Sequence, residues 1–329
     1  MRVRQLSVGA RIEAPLLIRD AQLRRRREGG ELLTLKLADR TGSLPAVVLE
    51  VDDEARAACR VGDVVHVCGT LTADPRFGTR IVVESVRTAA EHEYERCELV
   101  DGPARPVALL EEDLRELLAT IQRPCLRALL GSLFGEGTET WARFRDAPAA
   151  KHYHQAYGHG LLEHTLTVAQ GVSVISATFP GIDRDVAVAG ALLHDIGKLD
   201  AYEMRGDAIE MSDDGRLYGE IPLGYYRIRT AIEAVDDFPT DVAQALLHII
   251  LSHHGSLEHG SPVVPATREA ALVHGVDTLG ARLGSFDRIE KALPDGQQWS
   301  GYDKGLGGGA YFGAAPDGLA ESSGARRAA

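Results

Sequence analysis

Apolar and polar positions alternate along the first 90 residues, in runs that are separated by turn residues. Such alternation is typical of strands that bury one face. The pattern predicts strands at 10–23, 31–39, 44–50, 63–73 and 79–87, with a short helical stretch at 53–59. Five short strands at this spacing predict a small barrel or sandwich.

From residue 108 the apolar positions recur every three or four residues, which is the period of amphipathic helices. This pattern predicts an all-α domain. After Pro294 the chain is rich in glycine and loses its periodicity, so we expect a disordered tail. The predicted organisation is a β domain at 1–92, a linker at 93–107, a helical domain at 108–294 and a tail at 295–329.

Charge divides the chain in a similar way. The formal net charge is -12, yet residues 1–90 hold 15 Lys+Arg against 12 Asp+Glu, which indicates two domains with different roles. No apolar run approaches the roughly 18 residues of a membrane span. The four cysteines contain no C-x-x-C pair, which argues against a disulfide framework or a zinc finger. We therefore expect a cytoplasmic protein without a membrane segment.

The dipeptide His194-Asp195 directly follows an apolar helical run. Burying a carboxylate there costs several kcal/mol unless a cation or hydrogen bonds compensate. A divalent metal ion would compensate, and it would also lower the pKa of bound water towards roughly 7. Histidine and carboxylate donors without thiolate suit Mn, Fe, Co, Mg or Zn better than copper(I).

Four motifs carry a resemblance to the HD-domain phosphohydrolases: His164 in GLLEHTLTV, His194-Asp195 in LLHDIGK, His253-His254 in LSHHG and Asp277 in LVHGVDTLGARL. The five predicted strands resemble an OB-fold. The longer match, an OB-like segment before the helical domain, covers about 20–290 and resembles the YhaM-type 3′-5′ exoribonucleases. Members of that family remove nucleotides from the 3′ end in a metal-dependent reaction, often with manganese.

The resemblance implies a role for each matching position. The ligands of one ion, most often Mn, are expected to be His164, His194, Asp195 and Asp277. Asp195 would also bridge to a second ion, which His253 and His254 would contact unless they contact the phosphate. Asp195 and Lys198 are the expected catalytic pair, because Lys198 could hold a phosphate oxygen as a compact cation. Related enzymes commonly place Gly-His in a later helix as a second-metal ligand, but the candidate place here, 223–226, has Tyr225.

A basic run, Arg24 to Arg27, is predicted at the tip of the first hairpin. Loops beside the open face of an OB barrel commonly contact nucleic-acid backbones. Phe77 is the only aromatic residue among the first 90, so binding by this domain should be mainly electrostatic and salt-sensitive. The expected substrate is single-stranded nucleic acid, with RNA preferred over DNA on family resemblance only.

Two other functions stay open from the sequence. The first is the same chemistry on a nucleotide or cyclic nucleotide. The second is a nucleic-acid-binding protein whose HD site is degenerate. The sequence also leaves homo-oligomer formation and the native metal undetermined.

Overall fold

In a computed structural model, five strands close into a barrel in the order β1-β2-β3-β5-β4. The strands are β1 (Arg11–Arg25), β2 (Glu31–Asp39), β3 (Gly42–Val48), β4 (Val64–Asp74) and β5 (Gly78–Thr88), and helix α1 (Asp53–Ala58) lies between β3 and β4. Neighbouring strands are antiparallel except for β3 and β5. The predicted small β-barrel is confirmed.

The structure describes residues 2–25, 30–76, 78–100, 102–103, 105–150, 155–205, 208–293 and 297–313. Arg26 and Arg27 of the predicted basic loop lie outside the described residues, and so does Phe77.

Alternation along the strands fills the barrel with aliphatic side chains. Ile12, Leu37, Val65 and Val67 are fully buried in this first core. A bulge between Cys68 and Gly69 bends β4 where its backbone passes close to β5. A Cβ at Gly69 would lie 3.1 Å from the Cα of Val83, so a residue with a side chain would be crowded here.

The helical part begins with α2 (Arg96–Leu99), which falls within the predicted linker. The remaining helices are α3 (Val107–Ala119), α4 (Pro124–Phe134), α5 (Glu139–Asp146), α6 (Gly160–Ser176), α7 (Arg184–Leu193), α8 (Lys198–Ala201), α9 (Asp213–Tyr218), α10 (Glu220–Glu233), α11 (Thr240–Ser252) and α12 (Arg268–Ala292). Strands β6 (Tyr202–Arg205) and β7 (Ala208–Met211) form a hairpin that the helical pattern did not predict.

Helix α7 lies at the centre of the helical domain. Its residues from Asp185 to Leu193 are all buried, because α6, α11 and α12 pack against it. Gly190 faces the side chain of Ile249 on α11 and allows these two helices a close approach. The helical core is a set of side chains distinct from the barrel core, which is consistent with two units.

The structure corrects the expected tail. Residues 297–313 are ordered, with antiparallel bridges between Trp299 and Tyr311 and between Asp303 and Gly308. Ala310 within this segment is buried. The prediction of disorder from residue 295 is therefore wrong for 297–313, and residues 314–329 lie outside the described residues. The glycine-rich composition misled the prediction, because turn glycines and a buried alanine support a short hairpin here.

Among the described residues, no helix combines the length and the apolar composition that crossing a membrane would require.

Candidate metal centre

Four donor atoms from three helical regions meet at one buried point. The Nε2 atom of His164 lies 3.3 Å from His194 Nε2, 3.2 Å from Asp195 Oδ2 and 3.2 Å from Asp277 Oδ1. His194 Nε2 lies 3.3 Å from Asp195 Oδ2 and 3.8 Å from Asp277 Oδ1. An ion with bonds of about 2.1 Å places tetrahedral ligands roughly 3.4 Å apart. The first donor group, defined by these four residues, thus has the spacing of a coordination shell.

Two of the histidines reach the centre because each follows the last turn of a helix. His194 ends α7 and donates its Nδ1–H to the carbonyl of Ala191 at 2.7 Å. His253 ends α11 and donates its Nδ1–H to Ile250 O at 2.8 Å. Each bond satisfies a carbonyl that the helix end leaves open. A carbonyl only accepts, so Nδ1 carries a proton and Nε2 is the ring nitrogen that faces the centre.

A second donor group shares Asp195 with the first. It consists of Asp195, Glu220, His253 and His254, whose ligand atoms all lie within 4.8 Å of one another. His253 Nε2 is 3.5 Å from Asp195 Oδ1, and His254 Nε2 is 3.3 Å from Glu220 Oε1. The two oxygens of Asp195 therefore face different groups, as a bridging carboxylate would.

Glu220 is the member of this set that sequence reasoning missed. In the segment 223–226, where the resemblance implies a second-metal ligand, Tyr225 is half-buried against the helical core. The signal lay slightly earlier, at Gly219-Glu220, where a carboxylate follows glycine at the start of α10. Gly197 allows α10 to lie against the backbone just after Asp195. A Cβ on Gly197 would overlap the carbonyl oxygen of Glu220 and the backbone of Gly224.

The chemistry of the donors fits a divalent cation. Asp195 Oδ1 and His253 Nε2 are buried and have no hydrogen-bond partner among the described residues. A buried polar atom left unsatisfied costs about 1–3 kcal/mol. One cation between these two atoms would satisfy both, and the mixture of imidazole and carboxylate donors suits Mn, Fe, Co, Zn or Mg.

The charges of the first group are strongly coupled. Burial lowers the pKa of His164, but hydrogen bonds with Asp195 and Asp277 outweigh burial and raise that pKa to about 9. Burial raises the pKa of Asp277, but the hydrogen bond with His164 and the charges of the neighbouring histidines together have a larger opposite effect. The net pKa is lowered, so the carboxyl stays ionised. In the absence of a cation, a proton on His164 thus neutralises part of the acidic charge.

Lys198 contacts Asp195 directly. Its Nζ lies 2.6 Å from Asp195 Oδ2, and both side chains are buried. Burial lowers the pKa of Lys198, but the charges of Asp195 and Glu220 raise it more, so the ammonium stays charged. The charge of Lys198 likewise holds the pKa of Asp195 below its usual range, against the effect of burial.

In the second group, burial lowers the pKa of His253, which favours the neutral ring that a metal ligand needs. Burial also lowers the pKa of His254, but the hydrogen bond with Glu220 outweighs it and raises the pKa. His253 therefore favours the neutral ring, whereas its neighbour His254 favours the protonated ring.

Arg24 and Arg25, the two described residues of the basic run predicted for nucleic-acid contact, lie on the barrel and belong to neither donor group. Arg24 and Arg25 are exposed at the end of β1. Arg24 Nη2 donates to Gln22 Oε1 at 2.8 Å.

Comparisons with known proteins agree with both parts of the fold. The family model of the HD domain matches residues 161–282, a range that contains every residue of the two donor groups. The model of the OB-fold nucleic acid binding domain matches residues 18–89. The chain is also 29% identical over 291 residues to the 3′-5′ exoribonuclease YhaM of Geobacillus sp. (strain WCH70), covering 87% of each chain.

Two solved structures show weaker likeness. The second OB-fold domain of replication protein A from Methanococcus maripaludis is 21% identical, with a TM-score of 0.23, over 29% of this chain and 98% of that one. Aspartyl tRNA synthetase from Entamoeba histolytica is 12% identical, with a TM-score of 0.20, over 73% of this chain and 55% of that one. At these scores neither likeness bears on the function. The family matches and the barrel and helices together identify the chain as an N-terminal OB-fold domain followed by an HD domain.

Proposed function

We propose that this chain is a metal-dependent phosphodiesterase that removes nucleotides from the 3′ end of single-stranded nucleic acid, with RNA preferred over DNA. The HD domain and the likeness to an exoribonuclease support the broader class, a metal-dependent hydrolase. The observation that carries the proposal is the carboxylate of Asp195, whose two oxygens face two buried donor groups.

The residues divide into two sets of ligands. We assign one ion to His164, His194, Asp195 and Asp277, and a second ion to Asp195, Glu220, His253 and His254. Divalent ions in such a pair supply an activated water and neutralise charge on the attacking and leaving oxygens. Mn is our first expectation on the resemblance to the YhaM-type exoribonucleases, and the mixture of imidazole and carboxylate in both sets also suits Fe, Co, Zn or Mg.

The protein's own groups prepare the site for a phosphodiester. The N–H bonds of His194 and His253 to backbone carbonyls fix their rings, so little reorganisation is needed when charge develops. Lys198 orients Asp195 and supplies a permanent positive charge beside it. We assign Lys198 a contact with a non-bridging phosphate oxygen, which suits a compact ammonium.

The barrel is the proposed route by which the strand arrives. The OB-fold match supports contact with nucleic acid, and the exposed Arg24 and Arg25 are candidates for phosphate contacts. Arg26 and Arg27 continue the same basic run in the sequence. Binding through these side chains releases counterions and is therefore expected to weaken as salt is added.

The test uses a 5′-labelled RNA oligomer incubated with the full chain and Mn. The proposal predicts successive shortening from the 3′ end, which a 3′-terminal phosphate would reduce. His194→Ala should lower the rate more than 100-fold, an effect typical of losing a group central to catalysis. His92→Ala is the matched control, because His92 is exposed in the barrel domain and belongs to neither group.

Other results would reject parts of the proposal. Cleavage of free nucleotides or cyclic nucleotides without shortening of the oligomer would assign the site to a small substrate. Strand binding without cleavage in Mn, Co, Fe, Mg or Zn would leave a binding protein with a degenerate site.

A further inference from the structure

We infer that residues 297–313, the aromatic hairpin, form a stacking surface for bases of the single strand that leads to the metal centre. The inference deepens the proposed function and depends on a single-stranded substrate. It assigns to this hairpin the base contacts that the barrel has few residues to make.

The aromatic hairpin presents its rings to solvent. Trp299 is 62% exposed, Tyr302 78% and Tyr311 53%. Trp299 and Tyr311 pair across an isolated antiparallel bridge, with ring centroids 4.9 Å apart. An indole beside a phenol ring offers adjacent π surfaces, which is what stacking on a nucleobase requires.

The hairpin is fixed to the end of α12. Arg288 Nη2 lies 2.7 Å from Asp303 Oδ2, while Asp303 Oδ1 accepts N–H bonds from Gly305 at 2.9 Å and Leu306 at 3.2 Å. Phe312 packs against Phe286 with ring centroids 6.2 Å apart. Because these contacts hold the backbone, the exposed rings would lose little conformational freedom on binding.

The anchor of the hairpin on α12 can be placed relative to the metal centre and to the barrel domain. Arg288 follows Asp277 by three helical turns, so both project from the same side of α12, about 16 Å apart along the axis. Beyond the end of this helix, Leu293 O accepts a hydrogen bond at 2.7 Å from Arg4 Nη2, near the start of the barrel domain. The hairpin anchor thus lies between the first donor group and a contact with the barrel domain.

The chemistry of the surface favours nucleic acid as its occupant. The exposed side chains are tryptophan and tyrosine, whereas Phe77 is the only aromatic residue among the first 90. Proteins that bind single strands without reading sequence commonly combine a basic groove with aromatic stacking. The hairpin carries one acid, Asp303, which Arg288 neutralises, and one exposed base, Lys304, so it does not add to the chain's net charge of -12.

The first experiment measures binding of a short oligoribonucleotide to the full chain in chelator, so that cleavage plays no part. Trp299→Ala should weaken binding at least fivefold, the lower range for one lost stack. The same oligomer with abasic sites should bind wild type and variant equally, because it offers no base to stack. Tyr226→Ala is the matched control, since Tyr226 is an exposed aromatic residue on α10, outside the hairpin.

Fluorescence provides a second measurement on the unmodified protein. The chain has two tryptophans, and Trp141 is buried whereas Trp299 is exposed. The strand should therefore quench mainly Trp299. Trp299→Phe should remove most of the quenching while keeping affinity within about threefold, because phenylalanine still stacks.

Two results would overturn the inference. One is equal affinity of wild type and Trp299→Ala for the intact oligomer. If the substitution at the same time dissociates an oligomer of this chain, the exposed rings serve self-association instead. The other is an equal loss of affinity on intact and abasic strands, which would indicate a structural defect. Base-dependent binding without cleavage in Mn would reject the proposed function and leave the stacking surface standing.

Discussion

Asp195 Oδ1 and His253 Nε2 lie 3.5 Å apart, are both buried, and have no hydrogen-bond partner among the described residues. The other oxygen of Asp195 already contacts Lys198 and faces the first donor group. Interiors rarely keep two such atoms unsatisfied side by side. A cation between them would satisfy both atoms.

Glu220 should decide whether the second ion binds. Glu220→Ala removes one carboxylate from the second group and leaves the first group intact, so the Mn content should fall from two ions per chain towards one. Glu220→His should retain both ions, because imidazole also ligates Mn. Metal analysis after gel filtration measures the content. Two tightly held ions in Glu220→Ala would contradict the assignment of Glu220 as a ligand.

Gly197 should be needed to keep α10 in place. The Cβ of Gly197→Ala would overlap the backbone at Glu220 and Gly224, so α10 must shift, at a cost of about 1–3 kcal/mol in unfolding free energy. The shift should also weaken the second metal site. Chemical denaturation and Mn titration measure the two effects.

The control for this prediction is Gly131→Ala. Gly131 lies in α4, and a Cβ at this position would meet open space, so alanine should stabilise the helix by up to about 1 kcal/mol. Equal effects of the two substitutions would rule out the close approach at Gly197 as the cause.

Metal binding should release a proton from His164. The pKa of this ring is raised to about 9, so near neutral pH the metal-free side chain is protonated and must lose that proton to bind an ion. Calorimetry in buffers of different ionisation enthalpy should detect at least one released proton, because His254 would add to the proton from His164 when the second ion binds. The number should decline as pH rises through about 9, because the ring is then already neutral. A release that does not change with pH across this range would contradict the role given to His164.

The arginines at the end of β1 should control the salt dependence of strand binding. Arg24→Ala and Arg25→Ala should each reduce the slope of log K against log salt by about 0.7 if the side chain contacts one phosphate of a single strand. Arg127→Ala is the control, because Arg127 is exposed on α4 in the helical part. Unchanged slopes for both barrel variants would place phosphate contacts elsewhere.

Much of the fold follows from the local pattern of the chain. The strands of the barrel and the longer helices α3, α4, α6, α7, α10, α11 and α12 match the two hydrophobic periods, because each element buries one face against the core of its domain. The short helices α5, α8 and α9 were not predicted. The hairpin of β6 and β7 was missed because two four-residue strands carry too little alternation to stand out beside long helices. The predicted domain boundaries stay predictions, and the matched ranges 18–89 and 161–282 fall inside them.

Only part of the candidate metal centre could be predicted from the sequence. The structure brings His164, His194, Asp195 and Asp277 together, but their role as ligands stays a prediction. His194 and His253 share a local cause that sequence reasoning did not use, since each ring bonds the carbonyl three residues earlier at a helix end. Glu220 could not be placed by spacing, because the close contact of Gly197 with α10 is tertiary.

The most direct test is the Mn content of the full chain compared with that of Asp195→Ala. Because Asp195 belongs to both donor groups, the account predicts two Mn ions per wild-type chain, loss of both from the variant, and normal content in His92→Ala. Wild-type chain that holds no Mn, or an Asp195→Ala variant that keeps its full content, would contradict the account.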